Sequence, residues 1–320
     1  MDRDAQTQKP PVVVVTGPTA AGKTPLAIEI AQRFGGEIVN ADSMQVFRYM
    51  DVGTAKPSLE QRALVPHHLL DVVTPDVPYS AGRYAEEARK TTAEIHARGK
   101  IVLLTGGTGL YIRAFLEGLL ETGEADPELR AELQAQNRAA VEVGDPLRLH
   151  RRLGKIDPEA ADRIHPNDTR RIIRALEIAG RVGEPASQLR AEHAFGDRPY
   201  RTLHLAIDPG REALIERIDR RCGEMIDNGL LREARELRER GYGPELRPML
   251  AIGYRHMTPV VDGSDTLAHA LEVMRRDTRR FARRQRSWLR QVAGVRWQKP
   301  DETRPILDAV ESFLSDGGRA

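Results

Sequence analysis

The 320-residue chain has one cysteine, Cys222. That excludes an internal disulfide framework and fits a reducing compartment. Cys222 lies in a helical pattern, where a thiol reads as structural. No run of about 18 apolar residues exists, the length a membrane-spanning helix needs. Met1–Pro10 is polar and has no signal-peptide core. A cytoplasmic protein with no membrane association is expected. Internal repeats and long low-complexity tracts are also missing. Acids are scarce in one place: nine arginines lie between Arg275 and Arg296 against a single acid, Asp277, although the whole chain carries only +2. A basic stripe in a nearly neutral protein suggests a polyanionic partner. With 40% hydrophobic residues the chain can bury a sizeable core, in one large domain carrying a smaller one.

Against these absences stands Gly17-Pro18-Thr19-Ala20-Ala21-Gly22-Lys23-Thr24, which fits G-x-x-x-x-G-K-[ST]. It follows the apolar run Val12–Val15 and leads into the helical Leu26–Ala31, so strand, glycine loop and helix come in the order a phosphate cradle needs. Glycines let backbone N–H groups converge on phosphate oxygens, with the positive end of the helix behind them. Lys23 adds a mobile point charge, and the Thr24 hydroxyl would complete a Mg²⁺ shell. The loop specifies phosphate without specifying which phosphate compound.

Further along, Glu37–Asn40 reads as a short strand running into Asp42-Ser43-Met44-Gln45. A carboxylate just past a strand's C-terminal end lies on the ligand edge of an α/β sheet. Asp42 with Gln45 three residues on equally resembles a helix capping box. His67 and His68 are adjacent, so they face different ways, and no Cys/His cluster surrounds them to make a metal site. Tyr84–Arg98 is helix-like and closes at Gly99. Ile101–Leu104 is a buried strand ending in Thr105-Gly106-Gly107-Thr108-Gly109, with no acid at its end of the kind many P-loop NTPases use for Mg²⁺. Those glycines permit close backbone approach to a ligand, or simply make a tight turn.

From about Thr122 to Pro199 strand-like runs vanish, and helical patterns occupy Pro127–Arg138, Leu147–Leu153, Pro158–Ile164 and Thr169–Ile178. Arg170, Arg171 and Arg174 cluster on the last of these. Alternation returns at Arg201–Ile207. The helix that follows carries Arg217 and Arg221 one turn apart; they clamp a diphosphate if it faces the cradle, and are ordinary surface charge if it faces water. Leu230–Arg240 and Leu271–Val292 read as helices, the second holding most of the arginine stripe with Trp288 inside it. The expected fold is α/β, a P-loop NTPase-like parallel sheet flanked by helices with an inserted all-helical domain. Residues 11–121 and 200–300 would make the discontinuous core, 122–199 the insertion and 301–320 a C-terminal helical tail.

The ordered set GPTAAGKT, ADSMQV at Ala41–Val46, MDVGTAKP at Met50–Pro57, GGTGLYIRA at Gly106–Ala114, HPND at His165–Asp168, IGYR at Ile252–Arg255 and RRQRSWLR at Arg283–Arg290 resembles the tRNA dimethylallyltransferases, nearly from end to end. The resemblance implies transfer of a dimethylallyl group from its diphosphate to N6 of adenine 37 in the tRNA anticodon stem-loop, by a monomer using Mg²⁺. Asp42 would then be the general base, and Thr108 would sit beside the reacting centre. Gly17–Thr24 with Arg217 and Arg221 would hold the diphosphate, Thr24 serving the metal. Contacts to tRNA would come from Asp42, Ser43, Met44 and Gln45, from Thr108 and Arg130, and from Arg170, Arg171, Ile172, Ile173 and Arg174. Further contacts would come from Leu250, Ala251, Ile252, Gly253, Tyr254 and Arg255, and from Arg283, Arg284, Gln285, Arg286, Ser287, Trp288, Leu289 and Arg290.

The chain departs from many relatives at Phe47 and Tyr49, at Pro25 (tolerated in the first helical turn) and at Leu250, where some carry arginine. The zinc finger of eukaryotic members is missing. A P-loop small-molecule kinase would share the cradle, and a nucleotide-switched RNA-binding regulator would share the basic stripe. Neither accounts for the whole ordered set.

Overall fold

Val12, Val13, Val14 and Val15 have no exposed surface, because β1 (Pro11–Thr16) runs through the middle of the sheet. The computed structural model describes residues 9–119, 126–193 and 197–316. Beyond β1 the chain forms α1 (Lys23–Phe34), β2 (Gly36–Asn40), α2 (Leu59–Leu64), β3 (His67–His68), α3 (Ala81–Ala97), β4 (Ile101–Thr105) and α4 (Gly109–Glu117). Five helices follow: α5 (Pro127–Glu142), α6 (Arg148–Ile156), α7 (Pro158–Arg163), α8 (Thr169–Val182) and α9 (Ala186–His193). The chain then returns through β5 (Arg201–Ile207), α10 (Arg211–Asp227), α11 (Leu230–Glu239), α12 (Tyr254–Val261), α13 (Leu267–Leu289), β6 (Arg296–Gln298) and α14 (Thr303–Ser315).

The six strands pair in parallel in the order β3-β2-β4-β1-β5-β6. Parallel pairing needs long crossovers, which cover both faces with helices and explain strands that are apolar throughout. Side chains alternate across the sheet. Val13 and Val15 pack with Leu26, Ala27 and Ile30 of α1 and with Ile306 and Val310 of α14. Val12 and Val14 join the opposite layer, with Tyr84 of α3, Phe115 of α4, Ile218 of α10 and Met274 of α13. Burying one aliphatic side chain of this kind stabilises by about 1.5–3 kcal/mol. In the segment expected as a C-terminal helical tail, α14 buries Ile306 and Val310 completely in the layer with α1.

Two compact units emerge, Met1–Leu116 with Arg198–Ala320, and Glu117–Asp197. The expected junction at residues 121 and 122 lies outside the described residues. The smaller unit has its own core of Leu133, Leu149, Leu153, Ile172 and Leu176. Aspartates start three of its helices: Asp126, Asp157 and Asp168 each accept a first-turn backbone N–H, which satisfies a donor the helix itself cannot.

Candidate active site

The C-terminal ends of β1, β2 and β4 open into one cavity of about 760 Å³, lined by the glycine loop, Asp42, Thr108, Arg221 and Gln285. This is the ligand edge of a parallel sheet. Gly17 has φ 147°, and a Cβ there would lie 2.4 Å from the Ile207 carbonyl oxygen, so only glycine fits. Gly22 caps α1 in the left-handed region and brings no side-chain hydrogen bond. The first amides of α1 are therefore left for an anion.

Lys23 donates from Nζ to the carbonyls of Gly17 (3.1 Å) and Pro18 (2.8 Å). Burial first, and then the Arg221 charge, push its pKa down to about 8, with Asp42 working in the opposite direction. Burial likewise lowers Arg221, against the pull of Asp42, and its buried Nε has no hydrogen-bond partner among the described residues. The cavity is thus lined by the half-buried Lys23 and Arg221, with Arg255 and Arg284, against the carboxylates of Asp42 and Glu224. The surplus positive charge lacks a counter-charge that a diphosphate would supply. Arg217 donates to the Ala21 carbonyl at 3.3 Å, on the loop rather than in the cavity lining. Helix α10 therefore faces the cradle.

Asp42 is not a helix cap, because the chain after it makes turns and no helix. One carboxylate oxygen accepts the Met44 N–H at 2.9 Å, an Asx-turn arrangement. Among the described residues no hydrogen bond reaches the other oxygen, and Asp42 lines the cavity. Thr108 accepts the Ser43 N–H on its hydroxyl at 3.0 Å and donates its own N–H to Ala41 O at 3.1 Å. A Cβ on Gly106 would lie 2.2 Å from Ala41 O, so the two strand-end loops touch backbone to backbone. Gln45 donates to the carbonyls of Thr54 (3.2 Å) and Ala55 (3.3 Å), holding the Met50–Pro57 loop at the cavity wall. Thr24, at the first turn of α1, also lines the cavity.

Helix α13 divides its residues by face. Ala282, Gln285 and Leu289 are buried, while Arg283, Arg284, Ser287 and Arg290 are exposed. Trp288 covers Gly109, where a Cβ would lie 2.5 Å from the indole. Arg286 pairs with Asp208 at 2.8 Å. The lone acid of the stripe, Asp277, collects Arg255 (2.6 Å), His256 (3.3 Å), and Arg276 and Arg280 (3.6 Å each).

Several residues expected to touch tRNA are turned inward. Ile172 and Ile173 belong to the core of the helical unit. Gly253 and Tyr254 are buried, the Tyr254 hydroxyl donating to Glu233 at 2.6 Å. Leu289 is core, and Gln285 spends its amide on Thr19 N–H (2.8 Å) and Gly107 O (3.0 Å). A matched run on a helix presents only one face, so part of each run must pack inside. Arg130 and Arg174 share the fully buried Glu177, at 2.7 and 3.0 Å. Arg170 and Arg171 are exposed, as is Leu250 at 56%.

Two supporting side chains were given no role from the sequence, although Lys56 lies within MDVGTAKP. The buried Lys56 donates to Phe47 O, Asp51 and Asp71. Glu233 accepts the backbone N–H groups of Asp51 (2.8 Å), Val52 (2.7 Å) and Gly53 (3.0 Å).

Residues 45–292 match the IPP transferase family model, and residues 10–71 match the isopentenyl transferase model. The chain is a member of the tRNA dimethylallyltransferase family. It is 45% identical to the tRNA dimethylallyltransferase of Desulfatibacillum aliphaticivorans, over 96% of this chain and 99% of that one. The solved tRNA isopentenylpyrophosphate transferase of Bacillus halodurans superposes with a TM-score of 0.72 at 36% identity, covering 97% and 99% of the two chains. A eukaryotic dimethylallyltransferase acting on tRNA superposes with a TM-score of 0.83 at 28% identity, covering 96% of this chain and 80% of that one. These neighbours share the P-loop NTPase-like fold. No described helix is long and apolar enough to cross a membrane.

Proposed function

We propose that this chain, acting as a monomer, moves the dimethylallyl group from dimethylallyl diphosphate to N6 of adenine 37 in the tRNA anticodon loop. The observation that carries the reading is the half-buried pair Lys23 and Arg221, set with the carboxylates of Asp42 and Glu224 in one cavity lined by the phosphate loop. N6 attacks C1 of the dimethylallyl group and the C1–O bond breaks. Diphosphate leaves with the electron pair, and the N6 proton passes to the free oxygen of Asp42. N6 is a weak nucleophile because its lone pair is delocalised into the purine, so removing its proton during attack lowers the barrier. Lys23, Arg221 and the open amides of α1 are in place before charge develops on the leaving group, so they need no reorganisation. Thr108 would orient the reacting groups from its place beside Ser43.

The donor set for a divalent ion is the Thr24 hydroxyl, and among the described residues no cluster of His, Cys, Asp or Glu could hold a metal. That fits Mg²⁺ carried mainly by diphosphate oxygens and water. When bound, the ion would supply charge neutralisation on the diphosphate. Of the arginines expected at tRNA, the exposed Arg170, Arg283, Arg284 and Arg290 have no ion pair among the described residues, and the exposed Arg171 pairs only with Asp168 at 3.4 Å; these would meet RNA phosphates. The adenine must leave its stack to reach the cavity, at a cost of a few kcal/mol that protein contacts must return. The deciding experiment is mass spectrometry of nucleosides from tRNA incubated with the protein, dimethylallyl diphosphate and Mg²⁺. Unmodified adenosine with intact donor would end this reading.

A further inference from the structure

Gln285 is 8% exposed and belongs to the arginine-bearing helix, yet both ends of its amide are spent on the cavity's loops. Its Oε1 accepts the Thr19 N–H of the phosphate loop at 2.8 Å, and its Nε2 donates to Gly107 O at 3.0 Å, one residue from Thr108. A Cβ on Gly107 would lie 2.4 Å from that Nε2, so the contact requires glycine there. At the end of the same helix Arg283, Arg284 and the C-cap Arg290 are exposed with no ion pair among the described residues, Arg284 also reaching the cavity lining. Trp288 locks the same stretch onto Gly109. One short rod therefore carries a polyanion-facing surface outside and the bridge between two active-site loops inside.

We propose that Gln285 is a positioning residue that couples RNA binding on α13 to the phosphate cradle. This rests on the reading of the cavity as the diphosphate site. RNA phosphates on the outer arginines restrain the last two turns of α13. Through Gln285 that restraint reaches Thr19 and Gly107, so the loop is ordered before diphosphate arrives. The ordering cost is then met once, by whichever ligand binds first, and each ligand tightens the other by the same factor.

The test is calorimetric titration of the full chain with inorganic diphosphate and Mg²⁺, alone and saturated with an anticodon stem-loop RNA. RNA should tighten diphosphate by about fivefold or more, in the usual range of coupled sites. Gln285→Met keeps the length but neither donates nor accepts as the amide does. It should bring the factor below about twofold, while RNA alone still binds. Gln285→Asn, too short to span both loops, provides the same comparison should the Met variant fail to fold. Equal diphosphate affinity with and without RNA in the unaltered chain would overturn the coupling, as would full coupling in a folded variant. Diphosphate that binds under neither condition would remove the donor-site reading itself, a different failure from two ligands that bind independently.

Discussion

The Thr108 hydroxyl accepts the Ser43 backbone N–H at 3.0 Å, joining the ends of β4 and β2 one residue from the Asp42 carboxylate. The carboxylate is thereby fixed from two directions, since its Oδ1 also accepts the Met44 N–H.

Asp42→Asn keeps that turn, because an amide oxygen can still accept from Met44, but it cannot take a proton. Single-turnover transfer should slow by about 10²-fold or more. Binding of RNA and of diphosphate should change far less. Near-normal single-turnover rates would reduce Asp42 to a loop-shaping residue.

Lys23, with its pKa near 8, gives the free site a pH limit. The ammonium attracts diphosphate and the neutral amine does not, so affinity should fall as pH rises through about 8. Diphosphate titrates too, so the readout is the difference between the unaltered chain and Lys23→Met. That difference should shrink by up to about thirtyfold between roughly pH 7 and pH 9.5. Parallel pH curves for the two proteins would show that Lys23 carries no usable charge.

The outer arginines of α13 should behave as phosphate contacts. Replacing Arg283, Arg284 and Arg290 with glutamine should weaken RNA binding and reduce the slope of log affinity against log salt by about two. Exposed ion pairs are worth only ~0–1 kcal/mol, so stability should hardly move. An unchanged salt slope would make this face ordinary solvated surface.

Glu233 offers a stability test away from the chemistry. Glu233→Ala strips acceptors from three backbone N–H groups and from the Tyr254 hydroxyl. Denaturant unfolding should show a loss of about 1 kcal/mol or more, since the Asp51 bond is exposed and the other three are part-buried, and a group left unsatisfied and fully buried costs about 1–3 kcal/mol. A loss under about 0.5 kcal/mol would mean that water replaces the carboxylate.

The glycine loop and the long strands were legible because their signals are local: a fixed spacing in one case, continuous apolar runs in the other. Strands β3 and β6, of two and three residues, are too short to show any period. Residues carried over from the family as unbroken runs lost their inward-facing members, Ile172, Ile173, Tyr254 and Leu289, because sequence similarity is continuous and a helix surface is not. Long-range partners left no trace at all. Gln285 lies 266 positions from Thr19, and Glu233 lies 182 from Asp51. The two readings of Asp42 stayed open in the sequence for a related reason, since only the structure shows Gln45 committed to the Thr54 and Ala55 carbonyls rather than to a helix start.

The packing of α14 behind α1 bears on how the protein is made. The phosphate loop is translated before its partners: its strand gains β5 only after residue 200, its Thr19 amide meets Gln285 later, and Ile306 and Val310 join the layer later still. Loop-closure entropy over such separations must be met before those contacts return anything, which makes this a slow arrangement to form. A ribosome-bound or prematurely ended chain would display the nucleotide-type motif without the backing that shapes it. The layer behind the phosphate loop is complete only once α14, far downstream of that loop, has docked.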